Sequence, residues 1–124
     1  MHYDYIEVPA GGEAITANPD HTLNVPDRPV IPFIEGDGIG IDVTPVMLDV
    51  VNAAVQKSYG DARKIEWMQV YAGQKATEVY GGEVYMPDET LHAMEKFVVS
   101  IKGPLATNFS IACRVSSGMY TSPP

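Results

Sequence analysis

Val30-Ile31-Pro32-Phe33-Ile34-Glu35-Gly36-Asp37-Gly38-Ile39-Gly40 is the stretch on which the fold of this 124-residue chain turns. Its first five residues form a short apolar run between turn signals, the pattern of a buried strand. Pro32 has no N–H to give a neighbour, so one side of that strand should lack a hydrogen-bonded partner there. The glycine-dense residues after it make a turn. Beyond the turn, Val46, Met47, Val50, Val51, Ala54 and Val55 draw one apolar stripe along a helix from Thr44 to Tyr59. Asp42 or Thr44 can cap this helix, Pro45 suits its first turn and Gly60 can end it. Ile65 to Tyr71 alternates with period two, which predicts a second strand. Strand, helix and strand in succession are a βαβ unit with parallel strands.

Working outward, residues 72–80 predict a short helix closed by Gly81-Gly82. Met86-Pro87-Asp88-Glu89 opens another helix that turns Leu91, Met94 and Phe97 inward, and its two acids complement the helix dipole. Val98 to Ile101 predicts a third buried strand that runs into Lys102-Gly103-Pro104. The fold class is α/β: a three-layer βαβ arrangement whose sheet is incomplete. Residues 1–29, punctuated by Pro9-Ala10-Gly11-Gly12, Asn18-Pro19-Asp20 and Pro26-Asp27-Arg28-Pro29, read as an N-terminal arm with one short hairpin. Residues 30–105 are the α/β segment. Residues 106–124 have no useful periodicity, contain no acid and end on Pro123-Pro124, so this divergent tail is not expected to be a packed element.

Composition excludes several classes of function. Lys plus Arg is 8 against 16 for Asp plus Glu, a net charge of −8, and such a surface repels nucleic-acid phosphates. Apolar residues at 45% with 19% charged describe a globular chain, and no apolar run approaches the ~18 residues of a membrane helix. Cys113 has no internal disulfide partner, and Met1-His2-Tyr3-Asp4-Tyr5-Ile6-Glu7 lacks both the basic start and the apolar stretch of a signal peptide, so a cytoplasmic location is expected. His2, His21, His92 and Cys113 are too scattered for a zinc site, and His92 with Glu95 reads as a solvated helix face.

Chemistry in an open parallel sheet sits at the carboxyl ends of the strands. That rule makes Gly36–Gly40 and Lys102-Gly103-Pro104-Leu105 neighbours, because each follows a strand. Glycines allow close backbone approach, amides near a helix N-terminus favour anions, and Lys102 adds a positive charge. The same features also serve structure alone: the turn misses the dinucleotide fingerprint G-x-G-x-x-G at Ile41, and a strand-end lysine can simply be solvated. Trp67, Met68 and Tyr71 read as core and rim packing.

At these residues the chain resembles a known family. Residues 30–40 with Asp42-Val43-Thr44-Pro45, Lys64-Ile65-Glu66-Trp67-Met68, Val70-Tyr71-Ala72-Gly73 and Ser100-Ile101-Lys102-Gly103-Pro104-Leu105 are together similar to the N-terminal part of the bacterial NADP-dependent isocitrate dehydrogenases. The resemblance covers the chain from the arm to about Leu105. It implies oxidation of the isocitrate hydroxyl by hydride transfer to NADP, followed by decarboxylation to 2-oxoglutarate assisted by magnesium or manganese. It also implies a homodimer, and a large domain whose sheet is completed by a distant C-terminal part. By position, Ile39, Leu105, Ala106 and Thr107 would contact the cofactor, while Lys102, Ser110 and Arg114 would contact isocitrate.

The departures from the family begin at Ala106. Ala106-Thr107 stands where the family has a Thr-Thr pair, and Asn108-Phe109-Ser110-Ile111-Ala112-Cys113-Arg114 replaces a Pro-Val and glycine run with the substrate-binding Ser, Asn and Arg that follow. The catalytic Tyr and Lys and the metal-binding aspartates have no counterpart in this chain, which therefore reads as a truncated copy inactive on its own. An NAD-linked isocitrate or isopropylmalate dehydrogenase, or a non-catalytic binding module, would fit the same α/β segment.

Overall fold

The computed structural model describes residues 2–105. Chain order is β1 (Glu13–Ala14), β2 (Thr16–Ala17), β3 (Leu23–Asn24), β4 (Pro29–Ile34), α1 (Gly40–Tyr59), a 3₁₀ turn (Gly60–Ala62), β5 (Glu66–Gln69), α2 (Gln74–Tyr80), α3 (Asp88–Phe97) and β6 (Ile101–Lys102). The expectations for residues 106–124 lie outside the described residues. β2 and β3 form the hairpin anticipated in the arm.

Everything else is organised around β4. It pairs in parallel with β5, from Val30 opposite Glu66 to Phe33 opposite Gln69. Along its other edge lie two short parallel partners, β1 beside Pro29 and Val30 and β6 beside Phe33 and Ile34. The register skips Pro32 on that edge. Phe33 gives its carbonyl to Val70 N–H and Ile34 gives its own to Gly103 N–H, so the alternation of the strand turns Pro32 toward the gap between β1 and β6. The missing donor therefore costs no ladder bond, as the sequence led one to expect.

Alternation also separates the two faces of the sheet. Val30, Ile34, Met68 and Val70 are buried on one face with Ala72, Ala93 and Phe97, and Ile6 of the arm joins them. The arm is tied down by polar contacts as well: Asp4 N–H donates to Glu89 Oε2 at 2.9 Å, Tyr80 O–H donates to Glu89 Oε1, and Tyr3 Oη lies 2.9 Å from His92 Nδ1. Burial, reinforced by the Glu89 carboxylate, holds the Tyr80 phenol well above its ordinary pKa.

Several expected boundaries move. The first helix starts at Gly40, not Thr44, because Gly40 N–H already bonds Asp37 O and Val43 N–H bonds Ile39 O. Neither Asp42 nor Thr44 caps it; the Thr44 hydroxyl instead donates to Glu35 O at 2.8 Å, and Pro45 lies inside the helix. Only part of the apolar stripe is covered. Met47, Val51 and Val55 are half-buried, whereas Val46 and Val50 are 61% and 63% exposed. In α3 the inward residues are Glu89, Thr90, Ala93 and Phe97, and Leu91 is exposed. Glu89 and Thr90 can be buried because each is hydrogen-bonded, Thr90 through its hydroxyl to Tyr71 O at 2.7 Å. The third strand is β6, three residues later than Val98, because Val98 takes a positive φ of 64° and closes a tight turn with Val99 N–H on Phe97 O.

Glu66 illustrates how charge supports the sheet. The Arg28 guanidinium donates to its carboxylate and Lys64 lies 3.4 Å away, which lowers the Glu66 pKa. A lowered carboxyl pKa adds stability above the unfolded-state value of about 4.3 and loses it as pH falls through the folded value. With Arg28 half-exposed, the pair contributes at most about 1 kcal/mol. Glu66→Gln is expected to lower stability by that amount at pH 7 and by nothing at pH 2, measured as urea midpoints at the two pH values.

Candidate functional site

The carboxyl ends of β4 and β6 meet as the parallel topology requires. Glu35 leaves β4, Gly36 turns at a φ of +91°, and Asp37 N–H donates to Pro104 O at 2.6 Å. On the other side Gly103 N–H donates to Ile34 O at 2.7 Å. A side chain at Gly103 would overlap the Glu35 carbonyl, and one at Gly36 would overlap the backbone of Gly103 and Pro104. Close backbone packing is therefore what both glycines supply here.

Contacts remote in sequence lock this junction. The Glu35 carbonyl accepts the Thr44 hydroxyl of α1, and the Glu35 carboxylate pairs with Lys75 of α2. Asp37 Oδ1 accepts Gln74 N–H at 2.8 Å, so a carboxylate from the turn satisfies one of the orphan amides at the start of α2. Sequence reasoning missed Glu35, Asp37, Thr44 and Lys75 as partners. Two of these links, Glu35 with Lys75 and Asp37 with Gln74, join the turn to α2 across 40 and 37 residues, with no local spacing to betray them; the nearest signal was Asp37 lying between two glycines.

Among the expected site residues, Ile39 stands 66% exposed at the start of α1, and Lys102 is exposed at the end of β6 with its Nζ 3.5 Å from Gly103 O. Leu105 is half-buried against the core. Ala106, Thr107, Ser110 and Arg114 lie outside the described residues. The cleft on the α2 side of the turn is lined by Glu35, Gly36, Asp37, Gly38, Ile41, Gln74, Lys75 and Glu78. Its three carboxylates outnumber its one lysine. Negative charge therefore gathers on that side of the turn, and the expected positive charge, Lys102, stands at the β6 end.

Among the described residues no three His, Cys, Asp or Glu side chains converge to hold a metal ion. No helix among the described residues is long and apolar enough to cross a membrane.

Residues 30–121 match the family model for isocitrate/isopropylmalate dehydrogenase. The chain belongs to this family. It is 63% identical over 105 residues to an isocitrate dehydrogenase (NADP) of Coxiella burnetii, covering 85% of this chain and 24% of that protein. An isocitrate dehydrogenase (NADP) of Pseudomonas aeruginosa is 60% identical over 107 residues, covering 86% and 26%. One from Helicobacter pylori is 45% identical over 129 residues, covering 93% and 30%. The chain thus spans about a quarter of the length of the curated relatives it matches. The matched stretch contains both the glycine turn and the Lys102–Leu105 segment, which are the two sides of the junction.

The close packing makes a graded expectation. Gly103→Ala forces a methyl into the Glu35 carbonyl and should cost about 2–3 kcal/mol or more. Gly38→Ala meets open space and only the positive-φ penalty, about 1 kcal/mol. Urea denaturation of the two variants, compared with the parent chain, checks the order.

Proposed function

We propose that this chain is the N-terminal part of an NADP-dependent isocitrate dehydrogenase that oxidises the isocitrate hydroxyl and releases carbon dioxide to give 2-oxoglutarate. The observation that carries the reading is the backbone junction of the glycine turn with Lys102-Gly103-Pro104, inside a stretch 63% identical to a relative named for this activity. Parallel pairing with β4 puts the glycine turn and Lys102 at one sheet edge, where ligands of open α/β sheets bind, which supports reading the turn as facing the nucleotide and the lysine as facing the substrate.

In this reading the residues have separate tasks. Ile39, whose apolar side chain stands free at the turn, packs against the nucleotide, with Leu105, Ala106 and Thr107 on the strand side. Lys102 neutralises an isocitrate carboxylate, joined by Ser110 and Arg114, so that the C–H bearing the hydride is held against the nicotinamide. A bound magnesium or manganese ion would polarise the ketone formed, and its ligands would come from other parts of the protein.

The uncovered side of α1 supports the same view. Val43, Val46 and Val50, at i, i+3 and i+7 of one helix face, are all exposed, an apolar strip that a longer dehydrogenase chain, itself paired as a homodimer, would cover.

Replacing the corresponding segment of the Coxiella burnetii relative with residues 1–105 of this chain tests the proposal. The chimera should form NADPH from isocitrate, and Lys102→Ala within it should raise KM for isocitrate by about tenfold or more, the worth of one charge-assisted contact, with KM for NADP unchanged. The 124-residue chain alone should give no turnover. A chimera that is folded but inactive, or a Lys102→Ala variant with parental kinetics, would contradict the assignment.

A further inference from the structure

A second cleft, of about 420 Å³, lies between the arm and β5 and is lined by Tyr5, Glu7, Pro9, Trp67, Gln69 and Tyr71. Three of its six lining residues are aromatic and the one charged residue is an acid. Trp67 and Gln69 come from alternate positions of β5, so they project from the same face of the sheet, and Tyr71, just beyond the strand and partly packed against the core, completes that wall of the cleft. Ile6 is buried in the core, and its neighbours Tyr5 and Glu7 are both exposed.

The aromatic walls are held from behind. Trp67 donates its indole N–H to Asn52 Oδ1 at 2.8 Å and meets Phe33 edge to face at 6.1 Å. Tyr5 and Tyr71 both pack on Tyr80, at ring separations of 4.5 and 6.2 Å, and Tyr80 is anchored on the buried Glu89. The rings therefore lose little further freedom when a ligand arrives. Neither the turn nor Lys102 takes part.

Aromatic surfaces with a neighbouring carboxylate are the chemistry that recognises a soft, weakly hydrated cation, since the ring quadrupole and the negative charge both favour positive charge while the rings shed water from its methyl groups. A phosphate or carboxylate ligand is disfavoured by Glu7 and by a chain of net charge −8. We propose that the cleft between the arm and β5 binds a quaternary or methylated ammonium cation.

Trp67 is the single tryptophan of the chain, so its emission reports directly on the cleft. The test titrates the 124-residue chain with choline chloride, with sodium chloride at equal ionic strength, and with 3,3-dimethylbutan-1-ol, the uncharged isostere of choline. Choline should give a saturable change in Trp67 emission with a Kd in the millimolar range, and the alcohol should bind about fivefold more weakly or less, as the loss of one cation–π contact implies. Glu7→Gln, at an exposed position, should weaken choline by about threefold or more through loss of the carboxylate. Tyr5→Leu should reduce the preference for choline over the alcohol. Equal binding of choline and the alcohol, a response no different from sodium chloride, or parental choline affinity in both variants while their circular dichroism matches the parent, would each overturn the proposal.

Discussion

The Glu35 carbonyl oxygen is the point on which the arrangement depends. It takes the Thr44 hydroxyl from α1 and lies so close to Gly103 that no side chain can stand there. One backbone oxygen thereby fixes the distance between the strand that enters the turn and the strand end that carries Lys102. Hydrogen bonds on both sides of it, from Gly103 to Ile34 and from Asp37 to Pro104, make the junction continuous with the sheet ladder. Position at the edge of the sheet is therefore set by backbone geometry, and side chains such as Ile39 and Lys102 inherit it.

Behind the junction, the arm closes the opposite face. Ile6 supplies apolar contact, but the buried carboxylate of Glu89 decides where the arm runs, because its two oxygens need the Asp4 amide and the Tyr80 hydroxyl to offset desolvation. That one acid joins the arm, α2 and α3. The same Tyr80 ring backs the aromatic cleft, so the polar anchor on one face of the arm has a consequence for the surface on the other.

Where periodicity was strong and local the sequence was readable: the β4–α1–β5 unit, its parallel pairing, the role of Pro32 and the meeting of the turn with Lys102-Gly103-Pro104 all follow from pattern and topology. The failures have physical causes. The start of α1 was misplaced because the Gly36–Gly40 turn feeds directly into helical hydrogen bonding, and the Thr44 hydroxyl was drawn to Glu35 instead of a cap. Leu91 was placed inside by hydropathy, whereas Glu89 and Thr90 took that face through hydrogen bonds that span the fold. Half of the α1 stripe is apolar in pattern yet exposed, since a stripe records what a helix is built to meet and not what lies within the described residues. The acid–lysine pairing of Glu35 with Lys75 joins positions 40 residues apart and leaves no periodic trace.

If the turn and the strand end are one rigid unit, their amides must open only when the sheet does. Native-state hydrogen exchange at Asp37 and Gly103, compared with Val70 in the ladder between β4 and β5, measures this most directly. The account predicts that all three amides share the opening free energy of the sheet. Exchange at Asp37 and Gly103 about 100-fold faster than at Val70, a separate opening some 2.7 kcal/mol easier, would contradict it.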